Sequence, residues 1–260
     1  MPNVLAVVVG YRNSRLTDRA ARSLVQQTVS SNVVVWDNFS TQAEREQLLS
    51  LRFPPSVQLV LCSQNLMWAP AINQAIKACL GNEQFILLMN NDCSLPGVTV
   101  ERLVETFESH SDAGLVGPLV PAIGGPQEPL YVKDKSRPFR TTYLMGACMM
   151  IRRSVWDQIG GLDENMPLGA DDHDYAIRVK HAGYAIYVDP RICIQHEGHA
   201  SAGPEWDEWG GRSWAAFNEK WAGYYATEEE ATKAHWSGKY DPAFERGTGW
   251  TEEEYRARVG

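Results

Sequence analysis

Two hydrophobic periods alternate along the first ninety residues, and this alternation limits the possible folds more than any other feature. Runs of consecutive apolar residues alternate with segments in which apolar residues recur at helical spacing, as Leu16, Ala20 and Leu24 do. Alternating strands and helices of this length predict an α/β fold built on a parallel sheet. The continuous apolar runs, typical of strands buried on both faces, lie at residues 4–9, 33–36, 57–61 and 85–89.

The helices between these strands carry boundary signals of their own. Thr41 and Glu44 stand three residues apart, as in the capping box that begins a helix. A third helix is expected over about residues 70–80, because Pro70 suits a first helical turn and Gly81 suits the position after the last one.

The pattern loosens after residue 90. We expect a Gly- and Pro-rich loop over 118–129 and a strand over 142–152. Further elements are expected as a helix over 97–109, a strand near Leu115, a helix over 174–181, and strands over 184–188 and 192–194. The sequence thus predicts one domain over 1–200, with halves 1–118 and 119–200, and a Trp-rich helical C-terminal extension over 201–260.

Composition excludes several classes of protein. A net charge of −8 argues against a broad nucleic-acid surface. The five cysteines are odd in number and form no CxxC pair, which argues against a disulfide framework or a zinc site. The apolar runs are too short to span a membrane, and no basic segment precedes the first of them, so we expect a cytoplasmic protein with no membrane span.

Polar residues follow each of the first four predicted strands. Ligands of open parallel sheets bind at the carboxyl ends of the strands. The single glycine after the first strand fits neither the dinucleotide pattern nor the P-loop, so a diphosphate neutralised by a metal ion fits better than one held by backbone amides. The residues at these ends are Gly10, Tyr11 and Arg12; Asp37 and Asn38; Ser63, Gln64 and Asn65; and Asn90, Asn91 and Asp92.

Seven segments in this order resemble the family 2 glycosyltransferases, in a rhamnosyltransferase-like branch. The resemblance covers about residues 3–200 and rests on VLAVVVGYR, VVVWDNFST, SQNLMWAPAINQAI, FILLMNNDC, YLMGACMMIRRSVWDQIGGLDE, GADDHDYAIRVKHAGY and ICIQHEGHAS. It implies the GT-A fold, a Rossmann-like mixed sheet flanked by helices. It also implies inverting transfer of a sugar from a nucleotide diphosphate sugar, of UDP or dTDP type, to an acceptor hydroxyl.

The resemblance implies roles at both ends of the nucleotide. Asp37 would accept a hydrogen bond from the imide N–H of uracil or thymine, although an Asp after a strand also caps helices. Asp92 would hold a Mn²⁺ or Mg²⁺ ion at the diphosphate, with His196 completing the metal shell and His199 the less favoured ligand.

The same resemblance makes Asp172 the catalytic base. Its neighbour Asp171 would raise the pKa of Asp172 toward neutrality, because adjacent buried carboxylates disfavour each other's charge. The alternative is that the acidic cluster merely complements a helix N-terminus. We expect Asp174 to cap the helix.

The remaining donor-site residues carry open alternatives. Asn65, Asn90 and Asn91 would lie beside the nucleotide, with Gly10, Tyr11 and Arg12 at the first strand end. Trp68 would form a wall of the donor pocket or belong to the core, and the small residues Gly146 and Ala147 would leave room for a pyranose or permit close strand packing. We expect most tryptophans of the C-terminal extension to lie in the core. Trp206 or Trp209 is the best candidate for an acceptor platform.

Two other readings of the sequence compete with this one. A catalytically silent nucleotide-sugar- or glycan-binding module would keep the fold but lose the base or the metal carboxylate, and both Asp172 and Asp92 are present. A nucleotidyltransferase would carry a Gly- and Lys-rich loop after the first strand, and none is seen. The acceptor stays open among a glycan, lipid-linked or not, a protein and a modified nucleobase.

Overall fold

The computed structural model describes residues 3–123, 125–198 and 205–221. An eight-stranded mixed sheet forms its centre, in the order β3-β2-β1-β4-β8-β6-β9-β7, and β5 pairs with β10 beside it. The strands are β1 (Val4–Gly10), β2 (Ser31–Asp37), β3 (Val57–Leu61), β4 (Phe85–Asn90), β5 (Cys93–Ser94), β6 (Ala113–Leu119), β7 (Phe139–Thr141), β8 (Cys148–Arg152), β9 (Ala185–Cys193) and β10 (Gln195–His196). The helices are α1 (Ser14–Val25), α2 (Gln42–Ser50), α3 (Trp68–Cys79), α4 (Thr99–Ser109), α5 (Arg153–Ile159), α6 (Asp171–His181) and α7 (Glu205–Lys220).

The first four long strands, β1 to β4, run parallel, and β1, at the centre of these four, is covered on both faces. Successive side chains of β1 point to opposite faces, which is why every residue of this strand is buried. Val4, Ala6 and Val8 pack with α1 and α4. Leu5, Val7 and Val9 pack with α3 and, further along the sheet, with α5 and α6. The predicted α/β fold with helices on both faces is confirmed.

The second half of the sheet makes it mixed. Strand β8 runs antiparallel between β4 and β6, and β7 runs antiparallel to β9. The backbone N–H of Asn90 donates to the carbonyl of Ala147 at 2.9 Å. The carboxyl end of β4 therefore meets the segment that leads into β8, and residues 90 and 146 lie at one edge.

Several predicted boundaries are confirmed. Strand β3 has the predicted limits, and Thr41 caps α2 by accepting a hydrogen bond from the Glu44 N–H at 3.4 Å. The predicted strand over 142–152 is wrong in its first half, because strand pairing begins only at Cys148. The two strands expected over 184–188 and 192–194 are one, β9. Helix α5 and strand β7 were not predicted.

The C-terminal extension begins as the predicted helix, α7. Phe217 is buried against Met166, Ala170 and Ile177, so this helix packs on the start of α6. The division of the chain at residue 200 stays a prediction, and Trp236 and Trp250 lie outside the described residues. Among the helices of the described ranges, none has the length and apolar character that crossing a membrane requires.

Candidate active site

The loop after β1 is fixed by its own backbone and by helix α1. An added Cβ at Gly10 would meet the Thr17 hydroxyl at 2.8 Å, so glycine is required there for the close approach of α1. Asn13 adopts a left-handed backbone and caps α1 at the Leu16 N–H. The guanidinium of Arg12 lies 4.7 Å above the centre of the Tyr11 ring. Tyr11 and Arg12 are thus in contact with each other directly after the end of β1, the position expected for them from the sequence.

Asp37 ends β2 as a fully buried carboxylate with a charged partner. It accepts a hydrogen bond from Arg45 Nε at 2.7 Å and bonds from the Ser40 N–H at 3.3 and 3.4 Å. Thr41, not Asp37, caps helix α2. The carboxylate is therefore oriented by an arginine and a tight turn before any ligand binds.

Asn38, which was not among the predicted site residues, connects the ends of β2 and β3. Its Nδ2 donates to Asn65 Oδ1 and to the Met67 carbonyl, both at 2.9 Å, and its Oδ1 accepts from the Leu66 N–H. Asn65 Oδ1 also accepts from the Met67 N–H at 2.9 Å. The side-chain amide oxygen of Asn65 thus shapes the loop that leads into Trp68 and α3.

The short β5–β10 pair brings the predicted metal ligands together. His196 pairs with Cys93 across this ladder, and His196 Nε2 lies 3.7 Å from Asp92 Oδ1. Within the described part of the chain, neither the buried Asp92 Oδ1 nor His196 Nδ1 has a hydrogen-bond partner. One carboxylate and one imidazole, with room left for phosphate oxygens and water, suit Mn²⁺ or Mg²⁺. His199 lies outside the described residues.

Cys93 is adjacent to this pair but is unsuited to be a ligand. Burial raises the pKa of its thiol well above the usual value, and the nearby Cys148 and Asp92 raise it further. The Cys93 Sγ–H donates to the Ala147 carbonyl at 3.4 Å. Mn²⁺ and Mg²⁺ prefer oxygen ligands to thiolate, so we assign Cys93 to packing.

Asn91 occupies a different place from its neighbours. Its Nδ2 donates to the Thr17 hydroxyl at 3.1 Å, and the side chain is buried against α1. Asn90 instead lines the cleft described below. Of the two neighbouring asparagines after β4 that were predicted beside the nucleotide, Asn90 lines the cleft and Asn91 packs against α1.

Asp172 is held by hydrogen bonds from two parts of the chain. Its Oδ2 accepts from the Gly146 N–H at 2.9 Å, and its Oδ1 accepts from the His173 N–H at 2.8 Å and contacts His173 Nδ1 at 2.8 Å. Burial alone would raise the pKa of Asp172. The charge interaction and hydrogen bonds from His173, together with the Gly146 bond, outweigh burial and lower this pKa below its usual value.

The prediction that Asp171 tunes Asp172 toward neutrality is therefore wrong in direction. Burial raises the pKa of Asp171 well above its usual value, and the charge of Asp172 raises it further. Asp171 Oδ2 is buried with no hydrogen-bond partner in the described ranges. Backbone hydrogen bonds from Asp171 and Gly169 lower the pKa of Asp171 without offsetting burial, so of the two acids Asp172 keeps the charge and Asp171 holds its proton more tightly.

Asp174 does not cap α6, in contrast to the prediction. Helix α6 begins at Asp171, after Ala170, whose backbone is left-handed. The Asp174 carboxylate pairs with Arg178 Nε at 2.7 Å and with Lys220 Nζ at 2.7 Å, and it accepts from Trp221 Nε1 at 3.0 Å. Asp174 therefore joins α6 to the C-terminal end of α7.

A cleft of about 170 Å³ lies where these elements meet. An added Cβ at Gly146 would lie 3.7 Å from Asp172, an ordinary contact, so glycine here leaves space in the cleft and is not required for packing. The lining includes five predicted site residues, Trp68, Asn90, Gly146, Asp171 and His196. It is completed by Ile123, Met145, Ala147 and Leu168. Ala147 was expected beside Gly146, whereas Ile123, Met145 and Leu168 were not predicted as site residues, because an apolar cleft residue has the same sequence signal as a core residue.

The other predicted nucleotide residues lie outside this lining. Gly10, Tyr11, Arg12, Asp37 and Asn65 occupy the ends of β1, β2 and β3, further along the same sheet edge. His196 lines the cleft with Asp92 beside it, and Asp172, which is outside the lining, contacts the lining residue Gly146 through its Oδ2. This arrangement can hold a metal-bridged anion and accept a proton from a hydroxyl.

Comparison with known proteins agrees with this geometry. A model of the family described as "Glycosyl transferase family 2" matches residues 6–160. The N-acetylglucosaminyl-diphospho-decaprenol L-rhamnosyltransferase of Mycobacterium tuberculosis is 26% identical over 244 residues, covering 77% of this chain and 78% of the relative. The dTDP-rhamnosyl transferase RfbF of Shigella flexneri is 22% identical over 209 residues, covering 75% of this chain and 69% of RfbF.

Two solved structures share the fold. The Pyrobaculum calidifontis mannosyltransferase PcManGT, in complex with GDP-Man and Mn²⁺, superposes with a TM-score of 0.61 at 19% identity, covering 99% of this chain and 69% of PcManGT. S. aureus TarS gives 0.60 at 16% identity, covering 75% of this chain but only 36% of TarS. At these identities the similarity shows the fold alone, which is GT-A.

The opposite pKa shifts of the adjacent acids predict opposite effects on stability. A raised pKa in the folded state means that Asp171 supports folding most at low pH and that this support is lost as pH rises through the folded pKa. Asp171→Asn should therefore raise Tm at pH 7 and change it little near pH 4. Asp172→Asn should lower Tm at pH 7, because the lowered pKa of Asp172 gives stability above its unfolded pKa.

Thermal unfolding of both variants between pH 4 and pH 8 measures these effects. The wild-type protein at each pH is the reference, and Asp157→Asn, at an exposed position on α5, is the control for loss of a surface charge. A drop in Tm for Asp171→Asn that grows with pH would contradict the assigned charges.

Proposed function

This chain belongs to glycosyl transferase family 2, and from this premise we propose an inverting, metal-dependent transfer of a sugar from a dTDP- or UDP-linked donor to an acceptor hydroxyl. Asp172 carries the proposal, because its carboxylate accepts a hydrogen bond from the N–H of Gly146, a residue that lines the cleft. Asp172 accepts the proton of the attacking hydroxyl, and the sugar is displaced from the diphosphate in one step. One displacement inverts the anomeric configuration.

Asp92 and His196 are the residues that would hold a divalent cation. The unpartnered Asp92 Oδ1 and the adjacent imidazole supply two ligands, and the diphosphate and water supply the rest. Such a cation, when bound, neutralises charge on the departing diphosphate. The complex of PcManGT with Mn²⁺ supports this assignment.

We propose that the donor carries a 6-deoxy sugar. Two relatives are named as rhamnosyltransferases, and one name specifies dTDP-rhamnose. The lining of the cleft adds a physical reason, since Ile123, Met145, Ala147 and Leu168 present apolar surface. A methyl group at the sugar ring gains from burial on such a surface, whereas a hydroxymethyl group would lose hydrogen bonds to water.

A donor panel tests the proposed transfer and its sugar preference. With Mn²⁺ present, we expect faster hydrolysis of dTDP-L-rhamnose than of dTDP-L-mannose, which differs from it only by a hydroxyl at C6, by at least about 10-fold, the discrimination that one small group gives in an apolar pocket. Hydrolysis of dTDP-glucose should also be slower. The assay measures release of dTDP, and UDP-glucose and GDP-mannose complete the panel. Faster hydrolysis of either glucose donor would contradict the deoxy-sugar preference, and no hydrolysis of any donor would favour a silent binding module.

The metal assignment predicts that nucleotide binding requires a divalent ion. Calorimetry of dTDP should show weak binding with chelator and at least about 10-fold tighter binding with Mn²⁺. Asp92→Ala should abolish this gain, because it removes the carboxylate ligand. Cys93→Ala is the matched control and should keep the gain, since Mn²⁺ prefers oxygen ligands to thiolate. Equal affinity with chelator and with Mn²⁺ would disprove the metal site.

Asp37 is proposed to recognise the imide N–H of the base. In Asp37→Asn, the amide oxygen would face Arg45 and the amide nitrogen would present a donor, which matches N3 of cytosine better than N3 of uracil. The ratio of UDP to CDP affinity should fall about 10-fold or more, as for a hydrogen bond to a charged group. Glu44→Gln, in the first turn of α2, is the control and should leave this ratio unchanged. An unchanged ratio in Asp37→Asn would assign Asp37 to the Arg45 ion pair alone.

The base assignment predicts the effects of two neighbouring substitutions. Asp172→Asn keeps the shape of the side chain but accepts no proton, so transfer should fall about 10²- to 10⁴-fold while dTDP affinity is retained. Asp171→Asn should cost less, because burial raises the pKa of Asp171 and disfavours its charged form, so the neutral amide is the smaller change. Turnover at saturating donor, measured beside calorimetry of dTDP, checks both. Near wild-type turnover in Asp172→Asn would rule out this base.

A further inference from the structure

His173 follows Asp172 on the first turn of α6 and is almost entirely buried, at 2% exposure. Its Nδ1 lies 2.8 Å from Asp172 Oδ1, and its backbone N–H donates to the same oxygen at 2.8 Å. An ionised carboxylate only accepts hydrogen bonds, so Nδ1 must carry the hydrogen in this contact. With the Gly146 N–H on Oδ2, the Asp172 carboxylate has three donors around it.

Three aromatic rings fix the orientation of the His173 ring. Tyr143 stacks on it with ring centres 4.8 Å apart and planes at 25°. Trp214 meets it edge-on at 5.2 Å, and Phe217 does so at 6.3 Å. We name Tyr143, Trp214 and Phe217 the aromatic clamp. Two of its members come from α7, which lies beyond the residues that the family model matches.

Helix α7 is itself fastened to α6. Lys220 at its end pairs with Asp174 at 2.7 Å and with Asp163 at 2.6 Å, and Trp221 donates to Asp174 at 3.0 Å. Nearer its start, the Ser213 hydroxyl accepts a hydrogen bond from the Leu168 N–H at 3.2 Å. These bonds hold Trp214 and Phe217 against the first turn of α6, where the acids of the cleft lie.

We infer that His173 is a positioning residue that holds the Asp172 carboxylate in place beside Gly146 of the cleft lining, and that α7 is part of the transfer machinery through the aromatic clamp. This inference rests on the proposed role of Asp172 as base. The Asp172 side chain must keep one rotamer for its free lone pairs to face the attacking hydroxyl. The bond to His173 and the bond to Gly146 hold its two oxygens from opposite sides.

Two substitutions with the same number of side-chain heavy atoms separate a positioning role of His173 from a packing role. Asn places an amide N–H near the position of His Nδ1, whereas Leu has a similar volume and no donor. His173→Leu should lower kcat about 10- to 100-fold, the cost of a misplaced catalytic group, with the KM for donor unchanged. His173→Asn should restore kcat to within about 5-fold of wild type. The assay is hydrolysis of dTDP-L-rhamnose with Mn²⁺, or of the panel donor with the highest turnover.

A purely structural role predicts a different pattern. If His173 only fills space, Asn and Leu should lose kcat alike or the apolar Leu should do better, and either result would overturn the inference. Thermal unfolding of both variants shows whether they fold. Should His173→Leu fail to fold, Trp214→Leu replaces it, because it opens the aromatic clamp and leaves the hydrogen-bond donor in place. It should lower kcat about 3- to 10-fold at constant KM, and unchanged kcat would overturn the inference.

Asp172→Asn in the same assay separates this inference from the proposed function. If Asp172→Asn loses turnover and His173→Leu does not, the positioning role fails and the base assignment stands. If Asp172→Asn keeps wild-type turnover, both fail. The inference is supported when Asp172→Asn and His173→Leu both lose turnover, His173→Asn recovers it, and the donor KM stays constant.

Discussion

The hydrogen bond from the Gly146 N–H to Asp172 Oδ2 is the interaction on which the rest of the site depends. It joins the segment before β8 to the first turn of α6, which are 26 residues apart in sequence. Because β8 lies antiparallel beside β4, the same segment also meets Asn90. One backbone N–H thus places an acid of the second half of the chain at the strand ends of the first half.

The two adjacent acids, Asp171 and Asp172, differ in how tightly each holds a proton. Asp171 and Asp172 are both buried, and burial disfavours charge on each of them. Three donors converge on Asp172, whereas Asp171 Oδ2 has none within the described ranges. The charge therefore resides on Asp172, the acid whose two oxygens are both fixed. A base with a lowered pKa is ready to accept a proton at neutral pH, although it accepts the proton less strongly than a base tuned toward neutrality.

The sequence predicted the fold and most of the cleft because both depend on local patterns. Strand periods and strand-end residues are enough to bring Trp68, Asn90 and Asp171 to one edge. The direction of the Asp172 pKa could not be predicted, because the deciding donors are a distant backbone N–H and the ring of His173. Asp174 was misassigned for a similar reason, since its partners Lys220 and Trp221 lie almost fifty residues away. The false strand over 142–147 has its own cause, because the Met145 N–H donates to the Gln127 side chain and not to a strand.

Other expectations from the sequence stay predictions. They are the domain limits, the cytoplasmic location and the acceptor class, together with Trp206 or Trp209 as acceptor platform. Trp206 is 38% exposed, whereas Trp214 packs on His173, so the two tryptophans have different surroundings on the same helix.

The central claim is a single displacement in which Asp172 takes the proton of the attacking hydroxyl. The most direct test is the anomeric configuration of the first-formed product, read by proton NMR of the anomeric signal before mutarotation, with water as acceptor and dTDP-L-rhamnose as donor. A single displacement gives the configuration opposite to that of the donor. Retained configuration would contradict it, because retention through two displacements requires an enzyme nucleophile at the anomeric carbon.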